Sequence, residues 1–474
     1  MSTRVLSTSP VYRVYFNSDG HARLESGSNV PVEQDNSYRI DDQVIGRAFG
    51  IDLPDELSDL IRLAMAVYVA DRLCARDPLK SDRHDLHWTR HFELCLGLRS
   101  PGRWSDPKTA DLLSELLWFL TEDRWNFRLF ATPVQPVSVL KQGFLFSTTL
   151  TPPVTVSLFS GGLDSFAGLC HEIWERPTDS FVAVAGYTNQ RLGALQHQLL
   201  RDLAHRAGVR IIPVQVPFGL RRGGRACDND ERTQRSRGFV YAILGAATAM
   251  AAGTDHLMLH ENGVGAINLP FTDGQLGTQS TRAAHPATLS MLGELISRVT
   301  GRAFTIRLPL IFATKGEACR GVADLGVSDL VSSTVSCDGF PLRIFGKHQC
   351  GRCTSCLLRR SSLLAAGLIN YDDSAQYITD VFSSRARLSR AQAYPARAMH
   401  DQVGRLQRDL ACPSPWQSLT HTFPELVEVA EHLALDGRPL SIVRDQLVAL
   451  YGRYCREWAQ FEHRWGAQPL AKIR

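Results

Sequence analysis

The chain has 474 residues, 44% hydrophobic and 21% charged, and its 52 Lys+Arg against 48 Asp+Glu leave a formal charge of +4. That profile excludes an intrinsically disordered chain and, at roughly 100–200 residues per domain, predicts two to four structural units. The near-neutral balance, whose basic side includes only six lysines, speaks against a dedicated nucleic-acid coat, and nucleic acid is not an expected partner. The first residues show no cationic start followed by an apolar run, and no apolar stretch reaches the roughly 18–20 residues that cross a bilayer. A cytoplasmic protein without a membrane partner is therefore expected.

In chain order, alternation around Val11 to Leu24, with a turn at Asn17-Ser18-Asp19-Gly20, predicts a hairpin. Helical spacing follows over Asp55 to Arg76 and again at Leu112 to Leu120, and Asp123 to Phe130 alternates like a strand. Residues 1–150 thus read as an N-terminal α+β accessory domain. Thr151-Pro152-Pro153 marks its boundary, because consecutive prolines fit neither a helix interior nor a central strand. Beyond it strands and helices alternate. Strands are expected at Val154 to Phe159, Phe181 to Ala185, Val209 to Val216, His256 to His260 and Phe304 to Leu310. Helices are expected at Asp164 to Glu175, Arg191 to Ala207, Arg237 to Ala252 and Ala287 to Val299. This order predicts an α/β parallel sheet covered on both faces, with ligands gathering at the carboxyl ends of its strands. Residues 151–370 form this core, and residues 371–474 a C-terminal helical extension with helices at Phe423 to Leu433, Leu440 to Tyr451 and Arg453 to Phe461.

The strongest chemical signal is Ser160-Gly161-Gly162-Leu163-Asp164-Ser165, placed after the first core strand and opening the first helix. Two glycines let the backbone turn tightly and expose successive N–H groups, while the helix N-terminus adds partial positive charge to the same concavity. That arrangement suits pyrophosphate, with Ser160 and Ser165 as hydroxyl donors and Asp164 acting through Mg²⁺. The alternative is an ordinary strand-to-helix turn capped by Ser160 or Asp164. A Walker loop would place Lys and Ser/Thr after the last glycine, and this one does not. The hexapeptide resembles the PP-loop of the N-type ATP pyrophosphatases, which implies cleavage of ATP between its α and β phosphates.

Four of the eleven cysteines cluster as Cys337-x12-Cys350-x2-Cys353-x2-Cys356. In a reducing compartment this spacing suits one tetrahedral Zn²⁺ in a closed structural site. An iron–sulfur cluster or a C-x-x-C redox pair are the alternatives.

A PP-loop followed about 170 residues later by this cysteine set, with Cys350-Gly-Arg-Cys353-Thr-Ser-Cys356-Leu-Leu-Arg359, resembles the QueC (7-cyano-7-deazaguanine synthase) family over about Val154 to Leu368. The resemblance implies an adenine nucleotide alpha hydrolase-like, Rossmann-like sheet with a zinc knuckle, ATP, and a small-molecule deazapurine acid. Gly186-Tyr187-Thr188-Asn189-Gln190-Arg191 and Ser236-Arg237-Gly238 resemble two further family segments. They depart from them in carrying Gly186 for Asp and Gly238 for Asn. Gly186 and Tyr187 join the expected ATP-binding set Ser160, Gly161, Gly162, Leu163, Asp164 and Ser165. The chain is longer than the family core, like QueC-like proteins of bacterial anti-phage operons such as Qat and type IV CBASS. That likeness implies an operon-encoded protein partner or acceptor.

Other candidates rest on position. Lys315, after a strand-like run, offers a mobile cation to phosphates; Arg237, on a first helical turn, a bidentate anion contact. Asp164, Lys315 and Arg237 form the expected catalytic set. Glu261, Asn262, Arg282 and His285 stand as substrate-facing residues at the sheet's carboxyl end, with cap or turn roles as the alternative for each. Asp228-Asn229-Asp230-Glu231 reads as a solvated loop with a secondary Mg²⁺ reading. Three functions compete: an ATP-dependent carbon–nitrogen ligase passing the deazaguanine acid to ammonia or to a protein or peptide amine, an RNA-modifying PP-loop enzyme, and a non-catalytic nucleotide-binding scaffold of a defence complex.

Overall fold

The fold is that of a computed structural model, which describes residues 11–16, 21–26, 31–74, 89–132, 150–222, 231, 233, 235–272, 282–340, 346–381, 388–435 and 437–465. β1 (Val11–Phe16), β2 (His21–Ser26) and β3 (Pro31–Ile40) precede α1 (Gln43–Phe49), α2 (Asp55–Leu73), β4 (His91–Leu98), α3 (Pro107–Thr121) and β5 (Arg124–Ala131). Next come β6 (Val154–Leu158), α4 (Leu163–Glu175), β7 (Ser180–Tyr187), α5 (Gln190–Ala207), β8 (Ile211–Arg222), α6 (Arg237–Ala251), β9 (His256–Met258), α7 (Gly263–Ile267), α8 (Pro286–Thr300) and β10 (Thr305–Arg307). α9 (Lys315–Ala318), α10 (Arg320–Asp324), α11 (Thr354–Ala365), α12 (Arg390–Leu410), α13 (Pro415–Thr422), α14 (Glu425–Ala434) and α15 (Leu440–Trp465) follow.

The chain divides into two compact units, and they cut across the three consecutive segments that the sequence predicts. One unit comprises Met1–Thr149, Val216–Asp255 and Met291–Thr305; the other comprises Leu150–Gln215, His256–Ser290 and Ile306–Arg474. In the first, β1 pairs antiparallel with β2, β2 with β3, and β3 with the end of β8, whereas β1 runs parallel to β4 and β4 to β5. The turn expected at residues 17–20 lies outside the described residues. α6 belongs to this unit because a buried ion network reaches it. Arg90 grips Asp71 at 2.6 Å and Asp123 at 2.7 Å, and the Asp71 carboxylate accepts from the Ser236 hydroxyl at 2.6 Å. A buried guanidinium needs such partners, since a lone buried charge is strongly destabilising.

In the second unit β6 runs parallel to β7 and to β9, in the sheet order β10-β9-β6-β7. The parallel sheet expected for the core is therefore present. α5 starts at Asn189, whose side chain accepts from the Arg191 N–H, and stops at left-handed Gly208, as cap chemistry requires. α12 to α15 bury a continuous apolar face of this same unit. Two helices are expected at Leu440 to Tyr451 and Arg453 to Phe461; the structure has one, α15. Its buried stripe Val443, Leu447, Leu450, Tyr454, Trp458 and Phe461 keeps helical period across Gly452, and tertiary burial outweighs the roughly 1 kcal/mol that glycine costs.

Candidate active site

The Ser160 to Ser165 loop joins β6 to α4, at the carboxyl end of a strand with parallel neighbours on both sides. Gly161 sits at φ +81°, and a Cβ there would come 2.9 Å from the Leu195 side chain, so only glycine fits. Ser165 Oγ accepts from the Ser160 N–H at 3.2 Å and donates to the Gly162 carbonyl at 3.1 Å, and the Ser160 and Ser165 hydroxyls lie 3.1 Å apart. Gln196 of α5 donates to the Ser160 carbonyl at 3.1 Å and to that of Gly186 at 3.4 Å. The loop is thus held from behind, with glycine backbone and two hydroxyls forming a cradle suited to phosphate oxygens. Tyr187 packs over Gly193, where a Cβ would lie 3.0 Å from the ring.

Asp164, on the first turn of α4, is the hub of a charged cluster. Lys315 Nζ donates to its Oδ2 at 2.6 Å and Asn262 Nδ2 to its Oδ1 at 2.9 Å; the same amide reaches Glu261 Oε1 at 3.1 Å. Lys315 is 6% and Asp164 16% exposed. Burial pulls the Lys315 ammonium down, but the Asp164 carboxylate more than restores it, so the lysine is charged. Burial, reinforced by the Asp164 charge, pushes the Glu261 carboxyl up to about 8. Glu261 thus holds its proton at neutral pH, and a divalent cation would find in it a second oxygen donor ready to ionise. Asn262 also caps α7, accepting from the Gly265 N–H at 3.0 Å.

Lys315 is set by a capping box. Thr314 and Glu317 exchange hydrogen bonds between side chain and backbone N–H at 3.1 and 2.9 Å. The Thr-x-x-Glu spacing of this box was readable in the sequence. The turn also packs on α15: Glu457 accepts from the Thr314 hydroxyl, and Arg453 donates to Glu317 and to the Phe312 carbonyl at 2.6 Å. Neither α15 residue carries a motif of its own.

The four cysteines come together, with their sulfurs all within 4.8 Å of one another. Cys350 and Cys356 are 3.9 Å apart and Cys337 and Cys353 4.0 Å, close to the roughly 3.8 Å edge of a tetrahedron with about 2.3 Å Zn–S bonds. Backbone N–H groups of Gly339 and Cys350 point at Cys337 Sγ, and those of Arg352 and Cys353 at Cys350 Sγ. Hydrogen bonds from Cys337, Cys353 and Cys356 drive the Cys350 thiol far down, while the same crowding holds Cys353 far up. Four thiols this close cannot all ionise without a cation, so the donor set fits Zn²⁺. Gly351, at φ +79°, makes the tight turn, and a Cβ there would meet the Thr379 carbonyl at 1.9 Å. The centre is tied to the phosphate loop. On α11, Arg359 donates to Thr334 Oγ1 at 2.6 Å and pairs with Asp372 at 3.0 Å, and the Val335 N–H bonds the Gly161 carbonyl at 3.0 Å.

The remaining expected residues fall elsewhere. His285 acts as a cap of α8: its Nδ1 accepts from the Ala287 N–H at 3.2 Å, and burial, with Arg282 and His432 adding to it, holds the ring down at about 3 and therefore neutral. The Arg282 carbonyl accepts from Thr288 Oγ1 at 2.7 Å, and its guanidinium lies near Glu425. Arg237 belongs to the first unit, where its guanidinium lies 5.9 Å from the Tyr241 ring. Of the Asp228 to Glu231 run, only Glu231 lies among the described residues.

A glycine loop between a parallel strand and a helix, faced by a buried carboxylate–lysine pair and braced by a four-cysteine cluster, marks an α/β protein whose loop is suited to phosphate oxygens. Comparison with known proteins narrows it. The family described as "Queuosine biosynthesis protein QueC" matches residues 283–367. A 7-cyano-7-deazaguanine synthase of Novosphingobium aromaticivorans is 30% identical over 244 residues, covering 48% of this chain and 94% of that protein. One of Thiobacillus denitrificans is 29% identical over 230 residues, covering 46% and 96%, and one of Acinetobacter baylyi is 25% identical over 238 residues, covering 48% and 96%. The chain belongs to the QueC family. Among the described residues no helix is long and apolar enough to cross a membrane.

Proposed function

We propose that the protein uses ATP to adenylate the carboxylate of a 7-deazaguanine acid, 7-carboxy-7-deazaguanine, and passes the acyl group to an amine of a protein or peptide in anti-phage defence. The observation that carries the activation step is the buried Asp164–Lys315 pair at the mouth of the glycine loop. In this reading a substrate carboxylate oxygen attacks the α-phosphorus of ATP, and pyrophosphate leaves into the cradle of Ser160, Gly161, Gly162 and Ser165. The amine nitrogen then attacks the acyl carbon, giving up a proton as AMP departs and an amide bond forms. Lys315 carries positive charge to the β and γ phosphates, where it is worth most in a site screened from water. Asp164, with Glu261 in reserve, offers oxygens for a Mg²⁺ that would neutralise phosphate charge when bound. Asn262 fixes both carboxyls, and the cysteine centre stays structural, fixing the loop through Thr334 and Val335.

The acceptor reading rests on length. The matches to the relatives leave about half of this chain unmatched, and ammonia as acceptor needs no docking surface. A second reading, favoured by the relatives' printed name, is 7-cyano-7-deazaguanine synthesis from ammonia and a second ATP. A non-catalytic scaffold fits poorly with a charged lysine held in so low an exposure. Incubating the full-length protein with ATP, Mg²⁺ and the deazaguanine acid, with ammonium or with operon-encoded proteins, and reading AMP, pyrophosphate and product masses tests both. The proposal expects added mass on a protein or peptide; nitrile from ammonium alone selects the second reading, and no AMP in either mixture overturns both.

A further inference from the structure

α15 meets the Lys315 turn through two side chains one helical turn apart. Arg453 donates to the Glu317 carboxylate at 3.0 Å and to the Phe312 carbonyl at 2.6 Å. Glu457 accepts from the Thr314 hydroxyl, while its own carbonyl accepts from Ser361 of α11 at 3.4 Å. The fit is close: a Cβ on Gly316 would lie 2.5 Å from Glu457 Oε1. From the other side, the Gly263 N–H bonds the Ala313 carbonyl at 2.9 Å, and a Cβ on Gly263 would come 2.0 Å from the Ile311 carbonyl oxygen. The backbone of residues 311–316 is therefore clamped between the Asn262–Gly263 start of α7, which presents Asn262 to Asp164, and α15. Lys315 itself is unbranched and rotamer-rich, and orienting it costs on the order of 1.5–2 kcal/mol of side-chain entropy. A fixed Cα and a capped first turn remove the backbone part of that freedom.

We propose that Arg453 and Glu457 of α15 are positioning residues for Lys315: they lock the Thr314–Glu317 capping box and so set the lysine against Asp164. The inference rests on the adenylation reading only for its kinetic consequence. Neither residue touches substrate. Their effect runs through the turn, as outer-shell partners do when they orient a ligand, where their loss typically costs about 10- to 100-fold. This makes α15 a working part of the site rather than an appendage to it.

The test has two arms on the full-length protein. In the first, Lys315 reactivity toward an acetylating reagent is read by mass spectrometry, with half-buried Lys347 of the same unit, whose ammonium donates to the Ala375 carbonyl away from the Lys315 turn, as internal control. Glu457→Ala, and independently Arg453→Gln should the first variant fail to fold, raise Lys315 labelling several-fold and leave Lys347 labelling unchanged. In the second, pyrophosphate release is measured at varied ATP. Both variants lower kcat/KM by about 10- to 100-fold, and Glu457→Gln, which keeps an acceptor for Thr314, recovers most of it. Lys315 labelling identical to wild type in folded Glu457→Ala or Arg453→Gln overturns the inference, as does equal labelling gain at Lys347, which would mark general loosening. Absence of pyrophosphate release in the wild type fells the adenylation reading, and the labelling arm then decides the positioning role by itself.

Discussion

Asp164→Asn separates what the carboxylate does for the fold from what it does for chemistry. Removing its charge would leave the Lys315 ammonium, 6% exposed, without its principal partner, and breaking a buried pair ordinarily costs about 3–5 kcal/mol. Here a replacement is at hand. Glu261 is neutral at pH 7 because burial and the Asp164 charge push it up to about 8; once that charge is gone, its carboxyl ionises more readily and pairs with the lysine. The expected loss of stability is therefore small, about 1–2 kcal/mol, with the fold intact. On the adenylation reading catalysis is not rescued in the same way, since Asn at position 164 offers no anion for a Mg²⁺ bound to ATP and the ionised Glu261 is taken up by the lysine. The expected cost is about 10²- to 10³-fold in rate, the magnitude found when pre-organised charge stabilisation is lost. Substrate-dependent AMP and pyrophosphate release, read beside denaturant unfolding at pH 7, checks both halves. Normal turnover in the variant, or ADP as the main product, would refute the reasoning; unfolding of the variant would refute the compensation by Glu261.

Further outcomes follow from other parts of the molecule. Cys353→Ser loses bound zinc and soluble yield, because a closed four-thiolate site contributes directly to folding, whereas Cys412→Ser, on an exposed residue, changes neither; metal analysis of both proteins decides. Gly351→Ala drives a methyl into the Thr379 carbonyl at 1.9 Å from a left-handed backbone, so zinc content falls although every ligand remains. Burial pushes Glu457, which faces Thr314, Gly316, Glu317 and Arg320, up to about 7 from 4.5. The native state then holds that proton more tightly than the unfolded chain. Its contribution is present below pH 4.5 and is lost as pH rises through 7, about 3 kcal/mol in all. Glu457→Gln removes this slope, so urea unfolding shows the variant gaining on wild type between pH 5 and 7 and holding a constant lead above; a pH-independent difference would contradict it.

What could be read from the sequence was local. Gly161, Gly162, Asp164 and the two serines stand in one hexapeptide, and Cys350, Cys353 and Cys356 within seven residues, so their chemistry shows in spacing alone. The alternation from β6 to β10 was legible for the same reason, as buried parallel strands are short apolar runs. Long-range pairings were not. Nothing in the sequence says that Ser236 caps its network with Asp71, or that Glu457 reaches Thr314, because a single burial event couples segments with no shared periodicity. Arg359 and Arg360 are both buried, and their ion pairs with Asp372 and Asp380, like the bond from Arg359 to Thr334, join segments that no local spacing connects. For His285 the sequence left a substrate-facing role and a cap role open, and the structure shows the cap, with its Nδ1 accepting from the Ala287 N–H.

The first unit is assembled from three stretches of chain, and that has a bearing on how the protein is made. Asp71 must wait for Ser236, 165 residues later in the chain, and at ribosomal speeds of roughly 5–20 residues per second that interval is on the order of ten seconds or more. During that time α2 emerges with its apolar face uncovered and an aspartate committed to a neighbour not yet synthesised. Nascent chains of this protein should therefore depend on holding chaperones until residue 305 has left the exit tunnel. For the same reason, the N-terminal segment is not a module that can be removed at residue 150 or grafted elsewhere. Its complement, α6, is encoded between segments of the other unit, so the two units are interleaved along a single stretch of chain.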